Sequence, residues 1–331
     1  MEIETETEQF SYQGRIDLSG LRDSVSRIRH EIKKVIVGQD IAIDLILTAV
    51  LSDAHMLIEG VPGVAKTIMA KLTAQCIDAP FSRIQFTPDM MPSDVIGTSV
   101  FNEKITDFEF KKGPVFASIV MIDEINRAPA KTQAALFEVM AERQITVDGQ
   151  THKFAKPFTV IATQNPVEQE GTYRLPEAQL DRFLFKIEIP YPTLQEEIGI
   201  VRNHNLMDSE DETSKVEKVI TSAEIVEYQA LVRQVHVEDS LIEYIAKIVV
   251  STRTNANLYL GASPRASIAI LNASKAYAAM QGKDFVTPED IKFIAPFVLK
   301  HRLLLTPERE MEGLTATAVV RQIVDGVEVP R

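Results

Sequence analysis

The sequence contains a single cysteine, Cys76, which excludes an intramolecular disulfide framework and fits a reducing cytoplasm. No apolar run reaches the ~18 residues that a membrane helix needs, and the N-terminus is acidic. We therefore expect neither a membrane span nor a signal peptide. Basic clusters are lacking too, since 35 Lys and Arg residues are scattered among 47 Asp and Glu residues. The resulting net charge of −12 disfavours nucleic acid as a partner.

The chain has the composition of a soluble globular protein, with 45% hydrophobic and 25% charged residues. Its 331 residues exceed one core of typical size and predict two domains behind a short extension. We divide it into an N-terminal tail over residues 1–20, an α/β domain over residues 21–192 and a smaller helical domain over residues 193–331. We find no internal repeats.

The α/β domain is predicted to contain a parallel sheet with helices on both faces. Five short apolar runs have the pattern of strands buried on both sides: residues 55–59, 81–85, 119–122, 158–162 and 183–189. Apolar residues at helical spacing predict helices over residues 21–37, 41–51, 66–77, 131–141 and 177–181. Cys76 falls in one of these helices, where we expect it to be buried.

Two insertions interrupt the alternation of strands and helices. Residues 99–101 and 108–110 alternate apolar and polar side chains, and residues 144–149 do so up to a hairpin-type turn at Asp148-Gly149. Such fingers on an α/β core either contact a partner or are inert decoration, and the sequence leaves both interpretations open.

The second domain is predicted to be all-α. A charged stretch over residues 208–217 predicts a connector, and the chain beyond it has the pattern of helices throughout. Ser263 and Pro264 occupy capping positions before an alanine-rich helix over residues 264–281. Thr287 and Pro288 open another helix in the same way.

Residues 60–67 read Gly-Val-Pro-Gly-Val-Ala-Lys-Thr after an apolar strand, which is the pattern of a phosphate-binding loop. Gly60 and Gly63 allow the tight turn. Lys66 supplies a cation for the outer phosphates, and Thr67 supplies a hydroxyl for Mg²⁺. Ala65 replaces a usual glycine, which costs nothing in a right-handed helical turn but roughly 1–2 kcal/mol if its φ is positive. A purely structural turn is the alternative for this octet taken alone.

Two carboxylates, Asp123 and Glu124, follow the apolar strand predicted over residues 119–122. A parallel strand delivers such residues to the carboxyl edge of the sheet, beside the phosphate-binding loop. There Asp123 can join the Mg²⁺ shell, because this ion prefers oxygen ligands. Glu124 can deprotonate the water that attacks a γ-phosphate. The pair alone could merely cap the next helix; joined to Lys66 and Thr67, it indicates ATP hydrolysis.

Three further polar residues are candidates because of their position. Asn165 follows the fourth strand, so its amide can position the same water if that strand neighbours the third. Alternatively, it is only a turn residue before Pro166. Arg182 precedes the fifth strand, and Arg265 lies at the second position of a helix. A lone arginine is commonly solvated or salt-bridged, so the residues themselves assign neither arginine a role.

Several longer segments together resemble the MoxR family of AAA+ ATPases, a group related to magnesium-chelatase ATPase subunits and more distantly to MCM helicases. The matching segments are residues 37–39, 60–67, 122–129, 161–173, 175–183, 261–265 and 287–291. The resemblance covers about residues 28–305, and an alanine at position 65 is familiar in the family. Arg174 departs from the pattern, because the family usually has proline there. It is either a second interface arginine or a neutral change.

The resemblance implies a five-stranded parallel P-loop AAA+ core, with two hairpin insertions facing a central pore, followed by an all-α lid. It also implies a homo-oligomer in the form of a hexameric ring, with ATP and Mg²⁺ bound between neighbouring subunits. The implied metal ligands are Thr67 and Asp123. The implied nucleotide-binding residues are Val37, Gly38, Gln39, Gly60, Pro62, Gly63, Val64, Ala65, Lys66, Thr67 and Ile68.

The resemblance also implies catalytic roles for four residues. Glu124 would be the base and Asn165 the first sensor of the γ-phosphate. Arg182 would be the arginine finger that reaches into the next subunit's site, and Arg265 the second sensor that couples the lid to the nucleotide state. An arginine finger is worth roughly 10³–10⁵ in rate, so an isolated subunit should hydrolyse ATP slowly. Arg127 either faces the subunit interface or pairs with Glu124 or a neighbouring acid, and we expect the pairing.

We therefore expect a cytoplasmic, ATP-driven remodeller that helps a client enzyme or complex mature, often by inserting a metal cofactor. Proteins of the resembling family typically act with a partner carrying a von Willebrand factor A domain, which this sequence does not contain. Three alternatives remain: a nucleotide-dependent binding switch, a DNA-translocating motor and a magnesium-chelatase motor subunit. Glu124, Asn165 and Arg182 together argue against a switch, and the acidic charge argues against a DNA motor.

Overall fold

The structure is a computed structural model that describes residues 15–104, 106–165, 172–173, 175–206 and 215–330. Most of the predicted N-terminal tail and of the predicted connector lies outside the described residues, as does Arg174.

Strands and helices alternate through the first half of the described chain, and helices dominate the second half. The strands are β1 (Met56–Glu59), β2 (Phe81–Gln85), β3 (Gly97–Asn102), β4 (Asp107–Lys112), β5 (Ile119–Asp123), β6 (Gln144–Val147), β7 (Gln150–Lys153), β8 (Thr159–Gln164), β9 (Phe185–Glu188), β10 (Leu258–Leu260) and β11 (Leu304–Leu305). The helices are α1 (Ser19–Lys33), α2 (Asp40–Leu51), α3 (Lys66–Cys76), α4 (Pro92–Ile96), α5 (Ala130–Glu142), α6 (Glu177–Leu180), α7 (Leu194–Leu206), α8 (Ser222–Gln234), α9 (Asp239–Thr254), α10 (Pro264–Met280), α11 (Pro288–Leu299), α12 (Pro307–Met311) and α13 (Ala316–Gly326).

Strands β2, β5, β8, β1 and β9, in that spatial order, form one sheet in which every neighbouring pair is parallel. Successive side chains of a strand point to opposite faces, so on β1 Met56 and Ile58 join one apolar core and Leu57 joins the other. Helix α3 packs in the first core and α5 in the second. Helices on both faces explain the near-continuous apolar sequences of these strands. The predicted five-stranded parallel core is confirmed.

Both predicted insertions form antiparallel hairpins, β3 with β4 and β6 with β7. In the second hairpin Asp148 and Gly149 have φ values of 49° and 77°, as a two-residue type I′ turn requires. The first hairpin exposes two aromatic rings, Phe101 and Phe108, whose centroids lie 5.5 Å apart. The short helix α4, which the sequence pattern did not predict, leads into this hairpin.

The C-terminal helices share an apolar core with the N-terminal ones. Helices α8, α10, α11 and α13 contribute to the same core as α1, α2 and α3. Gln229 in α8 donates to the carbonyl of Val50 in α2 at 2.7 Å. The hydroxyls of Ser24 in α1 and Tyr228 in α8 are hydrogen-bonded at 3.1 Å. The lid therefore packs directly against the first two helices of the chain.

The structure differs from the sequence predictions in three details. The helical lid also contains a short antiparallel sheet of β10 and β11. Helix α1 ends at Lys33 and not at residue 37, because the consecutive β-branched residues 35–37 disfavour a helix. Ser263 precedes α10 as predicted but makes no side-chain capping hydrogen bond, and its hydroxyl donates to Asp181.

His55 is a buried residue that ties β1 to β8 and α5. Its Nδ1 accepts a hydrogen bond from the backbone N–H of Val160 at 2.9 Å, and its Nε2 donates to the carbonyl of Met140 at 3.1 Å. Burial, with a smaller effect of Arg143, lowers the pKa of His55 to about 4. The folded chain thus holds this imidazole in its neutral form.

We expect acid to weaken the fold through His55. The unfolded chain binds a proton near pH 6.5 and the folded chain only near pH 4, so this contribution is complete above pH 6.5 and is lost as the pH falls towards 4. Between pH 7 and 5.5 the loss should be about 1 kcal/mol. Urea unfolding at both pH values measures it, with His55→Gln as the non-ionising control. Equal losses in wild type and control would contradict the assignment.

Cys76 is buried at the end of α3, as predicted, and burial raises the pKa of its thiol to about 12. Because the thiolate is the reactive form, this cysteine is inert at neutral pH. Among the described helices, none combines the length and apolar character that a bilayer crossing requires.

Candidate nucleotide site

A loop joins the end of β1 to the start of α3. A helix N-terminus that follows such a loop favours the binding of anions, because its free N–H groups and the helix dipole both attract negative charge. Gly63 in the loop has a φ of +87°, and apart from its two chain neighbours no described residue places an atom within 4 Å of the position a Cβ would take. The backbone there is open to a ligand. Lys66 begins α3, and its Nζ donates to the carbonyl of Gly60, so the ammonium lies across the loop.

The backbone of Ala65 has a positive φ, which is the strained alternative of the two that the sequence left open. Its φ of 59° and ψ of 19° are left-handed, which costs an L-residue roughly 1–2 kcal/mol. Strain of this kind persists only where the surrounding structure enforces it, and it is concentrated at ligand sites. The fold therefore maintains the loop in this shape despite the Cβ.

Beside the loop lies a cleft of about 400 Å³ with mostly apolar walls. Its walls come from the segment after α1, from the loop and from α7. The lining residues are Val35, Ile36, Val37, Gln39, Pro62, Gly63, Val64, Ala65, Ile68, Tyr191, Pro192, Glu197, Ile200, Asn203 and His204. Apolar walls with a few polar groups are typical of small-molecule sites. An apolar cleft next to an anion-binding loop fits a purine nucleotide.

The structure brings the predicted nucleotide-binding residues together. Those that line the cleft are Val37, Gln39, Pro62, Gly63, Val64, Ala65 and Ile68. Gly38 lies against the side chain of Glu196 in α7, while Gly60, Lys66 and Thr67 form the two ends of the loop. The contribution of α7 was not predicted. The sequence could have indicated it, because α7 directly follows the last strand of the sheet and therefore starts at the carboxyl edge.

Asp123 and Thr67 lie side by side at this edge. One carboxylate oxygen of Asp123 is 3.4 Å from Thr67 Oγ1 and accepts a hydrogen bond from Thr163 Oγ1 at 3.2 Å. The other oxygen accepts from Nε of Arg83 at 2.6 Å. Mg²⁺ takes few protein oxygens and keeps waters and phosphate oxygens as its other ligands. The hydroxyl and carboxylate fit this ion, once Arg83 releases its oxygen.

Glu124 is held by donors on both sides. It has a left-handed backbone, with φ 56° and ψ 52°, and its N–H donates to Thr163 Oγ1 at 3.1 Å. Its Oε2 accepts from Gln85 Nε2 at 2.8 Å and lies 2.9 Å from Arg127 Nε. The expected pairing of Arg127 with Glu124 is thus confirmed.

Sequence reasoning missed Arg83 and Gln85. They stand two residues apart on β2 and so share a face, and Gln85 lies opposite Asp123 across the β2–β5 pair. Two polar side chains at alternate positions of a strand expected to be apolar are the signal that could have identified them.

Asn165 directly follows β8 and is buried. Strand β8 is the parallel neighbour of β5, so the condition set from the sequence is met. Asn165 therefore lies at the same edge of the sheet as Asp123 and Glu124.

The two arginines lie at the other edge of the sheet. Arg182 precedes β9, which begins level with the start of β1, whereas the phosphate-binding loop follows the end of β1. Because β1 is four residues long, its ends are roughly 13 Å apart. Arg182 is half-buried and donates to the carbonyl of Phe137 at 3.1 Å. Arg265 is exposed at the start of α10, and the preceding Ser263 donates to Asp181 at 3.2 Å. Arg265 therefore lies on the side of Arg182 and away from its own chain's loop.

Comparisons with known proteins agree with this geometry. The profile of the ATPase family associated with various cellular activities (AAA) matches residues 55–185, and that of the AAA lid domain matches residues 250–323.

Three similar proteins align with nearly the whole chain. YeaC of Bacillus subtilis, a protein named as uncharacterized, is 49% identical over 300 residues, which are 90% of this chain and 92% of YeaC. Chaperone MoxR1 of Mycobacterium tuberculosis is 39% identical over 317 residues, 93% of this chain and 83% of MoxR1. The crystal structure of a candidate ATPase from Cytophaga hutchinsonii has a TM-score of 0.88 at 39% identity, covering 95% of this chain and 97% of that one.

Proposed function

The chain belongs to the MoxR family of AAA ATPases, and from this premise we propose that it hydrolyses ATP at sites shared between the subunits of a ring, to remodel a client protein. The observation that supports this most is the meeting of three features at one edge of the sheet. These are the phosphate-binding loop, the adjacent acids Asp123 and Glu124, and the buried Asn165.

In this proposal water attacks the γ-phosphorus of ATP and ADP leaves, and a bound Mg²⁺ would supply positive charge to the phosphate oxygens. Thr67 and Asp123 would hold the ion, and Lys66 neutralises the outer phosphates. Glu124 takes the proton of the attacking water, and Asn165 orients that water. The base side of the nucleotide lies against Val37, Gly38 and Gln39. The loop itself is formed by Gly60, Pro62, Gly63, Val64 and Ala65, with Ile68 on the first turn of α3.

Arg182 and Arg265 act on the nucleotide of the adjoining subunit in this proposal. Arg182 precedes β9 and so lies at the edge of the sheet opposite its own loop, and Arg265 follows the turn that is hydrogen-bonded next to it, which supports this arrangement. Each ATP site then needs residues from two subunits. A closed homo-oligomeric ring, most simply a hexamer, gives every site a neighbouring subunit that provides the two arginines.

We further propose that the ring works in the cytoplasm with a partner carrying a von Willebrand factor A domain, on a client enzyme or complex that it helps to mature. A relative of 39% identity is named a chaperone, which supports this class of function. The exposed pair Phe101 and Phe108 on the first hairpin offers an apolar contact of the kind that a pore-facing finger needs.

Replacement of Lys66 by alanine tests nucleotide binding. A charge-assisted hydrogen bond is worth about 1.5–3 kcal/mol, so Lys66→Ala should weaken ATP binding by roughly 10–150-fold. Titration with a fluorescent ATP analogue measures the change. Lys71→Ala, which removes an exposed lysine farther along the same helix, is the matched control and should bind like wild type. Unchanged binding by Lys66→Ala would place the nucleotide elsewhere.

The remodelling function is tested by trapping the client. Glu124→Gln should hold ATP without turnover, so client and partner should be enriched on it relative to Lys66→Ala in the presence of ATP. The captured protein, added back to the wild type, should raise steady-state phosphate release. A captured protein that leaves phosphate release near zero would favour a nucleotide-dependent binding switch instead.

A further inference from the structure

Arg302, just after α11, is a buried guanidinium with every donor in use. Its side chain is 4% exposed. Nε donates to the Asp181 carboxylate at 2.7 Å, and the remaining bonds go to backbone carbonyls. The acceptors are Asp181 at 3.1 Å, Phe183 at 2.6 Å, Leu184 at 3.2 Å and Val298. These five bonds match the five N–H donors of an arginine, so any rearrangement leaves a buried donor without an acceptor.

Asp181 connects two distant parts of the chain through its two oxygens. One oxygen accepts from Arg302, and the other accepts from Ser263 Oγ at 3.2 Å. Asp181 directly precedes Arg182 in sequence, and Ser263 lies two residues before Arg265. One carboxylate therefore joins the segment that carries Arg182 to the turn that carries Arg265.

Both segments are braced by further contacts. His301 Nε2 donates to the carbonyl of Phe183 at 3.0 Å, next to the bonds of Arg302. On the other side, Arg253 Nε donates to the carbonyl of Ala262 at 2.9 Å, and Thr252 Oγ1 accepts from the N–H of Ala262 at 3.0 Å. The two segments are thus held as one body.

The described contacts pair Asp181 with residues other than Arg182. A carboxylate next to an arginine in sequence is an obvious partner for it, but the two oxygens of Asp181 accept from Arg302 and Ser263. Within the described part of the chain, Arg182 donates to a neutral carbonyl, that of Phe137 at 3.1 Å. A phosphate can replace a neutral acceptor far more readily than it can replace a carboxylate.

We propose that Asp181 is a positioning residue that, anchored by Arg302 and Ser263, presents Arg182 and Arg265 as one unit to the phosphates of the adjoining subunit. The inference rests on the proposed sharing of each site between two subunits, and it adds the means by which a subunit fixes the spacing of its two arginines. A misplacement of about 1 Å at a catalytic group can cost roughly 10²-fold in rate, so this anchoring matters for turnover.

Mixed rings test the proposal. An acceptor chain carries Arg182→Ala and keeps its own nucleotide site, while a donor chain carries Glu124→Gln and keeps its arginines. In a 1:1 mixture, turnover arises only where an acceptor site faces a donor's arginines. Asp181→Asn or Ser263→Ala is then placed in the donor only or in the acceptor only. Ser251→Ala is the matched control, because it removes an exposed lid hydroxyl that bonds only within α9 among the described contacts.

In the donor, we expect Asp181→Asn to lower kcat by roughly 10–100-fold and Ser263→Ala by roughly 3–10-fold, with KM for ATP unchanged. In the acceptor, either change should alter kcat by less than about 2-fold, since the sites that this chain's arginines face lack either Glu124 or a neighbouring Arg182 and do not turn over in any case. Ser263→Ala leaves the ion pair of Asp181 with Arg302 intact. If thermal unfolding shows that Asp181→Asn does not fold, Ser263→Ala alone still tests the proposal.

Three outcomes overturn the inference, and they separate it from the proposed function. Equal losses of kcat in donor and acceptor would show that the contacts between Asp181, Arg302 and Ser263 only maintain the fold. No loss in the donor would show that Arg182 and Arg265 do not depend on Asp181, while sharing of sites would stand. A mixture that shows no turnover above its two parents would refute the shared sites themselves, and the role of Asp181 with them.

Discussion

Glu124→Gln is expected to leave ATP bound and to lower steady-state phosphate release by roughly 10²–10⁴-fold, the usual worth of a general base. The amide keeps the length and shape of the side chain, and its oxygen can still accept from Gln85 and Arg127. It cannot take a proton from water. Nucleotide affinity should therefore stay within about 3-fold of wild type, because the change acts on the transition state and not on ground-state binding.

A matched glutamate separates this loss from a general effect of charge. Glu138 is exposed on α5, away from the carboxyl edge of the sheet, and Glu138→Gln should release phosphate like wild type. Phosphate release by Glu124→Gln equal to that of Glu138→Gln would remove Glu124 from the role of base.

Arg182→Ala should have the second large effect. If Arg182 completes the site of the adjoining subunit, its removal should lower turnover by roughly 10³-fold or more while each chain still binds ATP. Among the described residues of its own chain, Arg182 makes one hydrogen bond, to the carbonyl of Phe137. Its loss should therefore cost little stability. Phosphate release, nucleotide titration and thermal unfolding measured on the same sample distinguish these effects.

Arg321, exposed on α13, provides the control for Arg182. Arg321→Ala removes an equal charge from the lid and should leave turnover unchanged. Normal turnover by Arg182→Ala would mean that no subunit depends on its neighbour for this guanidinium.

The sheet and its loop were predictable because short-range patterns decide them. Strands buried on both faces must be apolar throughout, and a phosphate-binding loop needs its glycines, lysine and threonine at fixed spacing. Even the far-edge position of Arg182 follows from its place before a strand, since parallel strands all begin at one edge. The pairing of Arg83 with Asp123 was within reach for the same reason, because β2 and β5 were both predicted.

The remaining features depend on how distant segments dock. The bond between Ser263 and Asp181 joins residues 82 apart in sequence, and nothing local to either residue signals it. Ser263 has the sequence of a helix cap, yet its hydroxyl is used elsewhere because the lid packs against the end of α6. The left-handed backbone of Ala65 is likewise set by its surroundings, against the intrinsic preference of alanine.

The common core of lid and N-terminal helices has a consequence for synthesis on the ribosome. The carbonyl of Val50 accepts a hydrogen bond from Gln229, which lies 179 residues later in the chain. The hydroxyl of Thr48 donates to the sulfur of Met280, 232 residues later. Helices α1 and α2 are therefore translated early, and the parts of their apolar faces that pack against the lid stay uncovered until the lid helices have emerged. Contacts of such long sequence separation slow folding. The chain would thus pass through a long period in which apolar surface is exposed before the fold is complete.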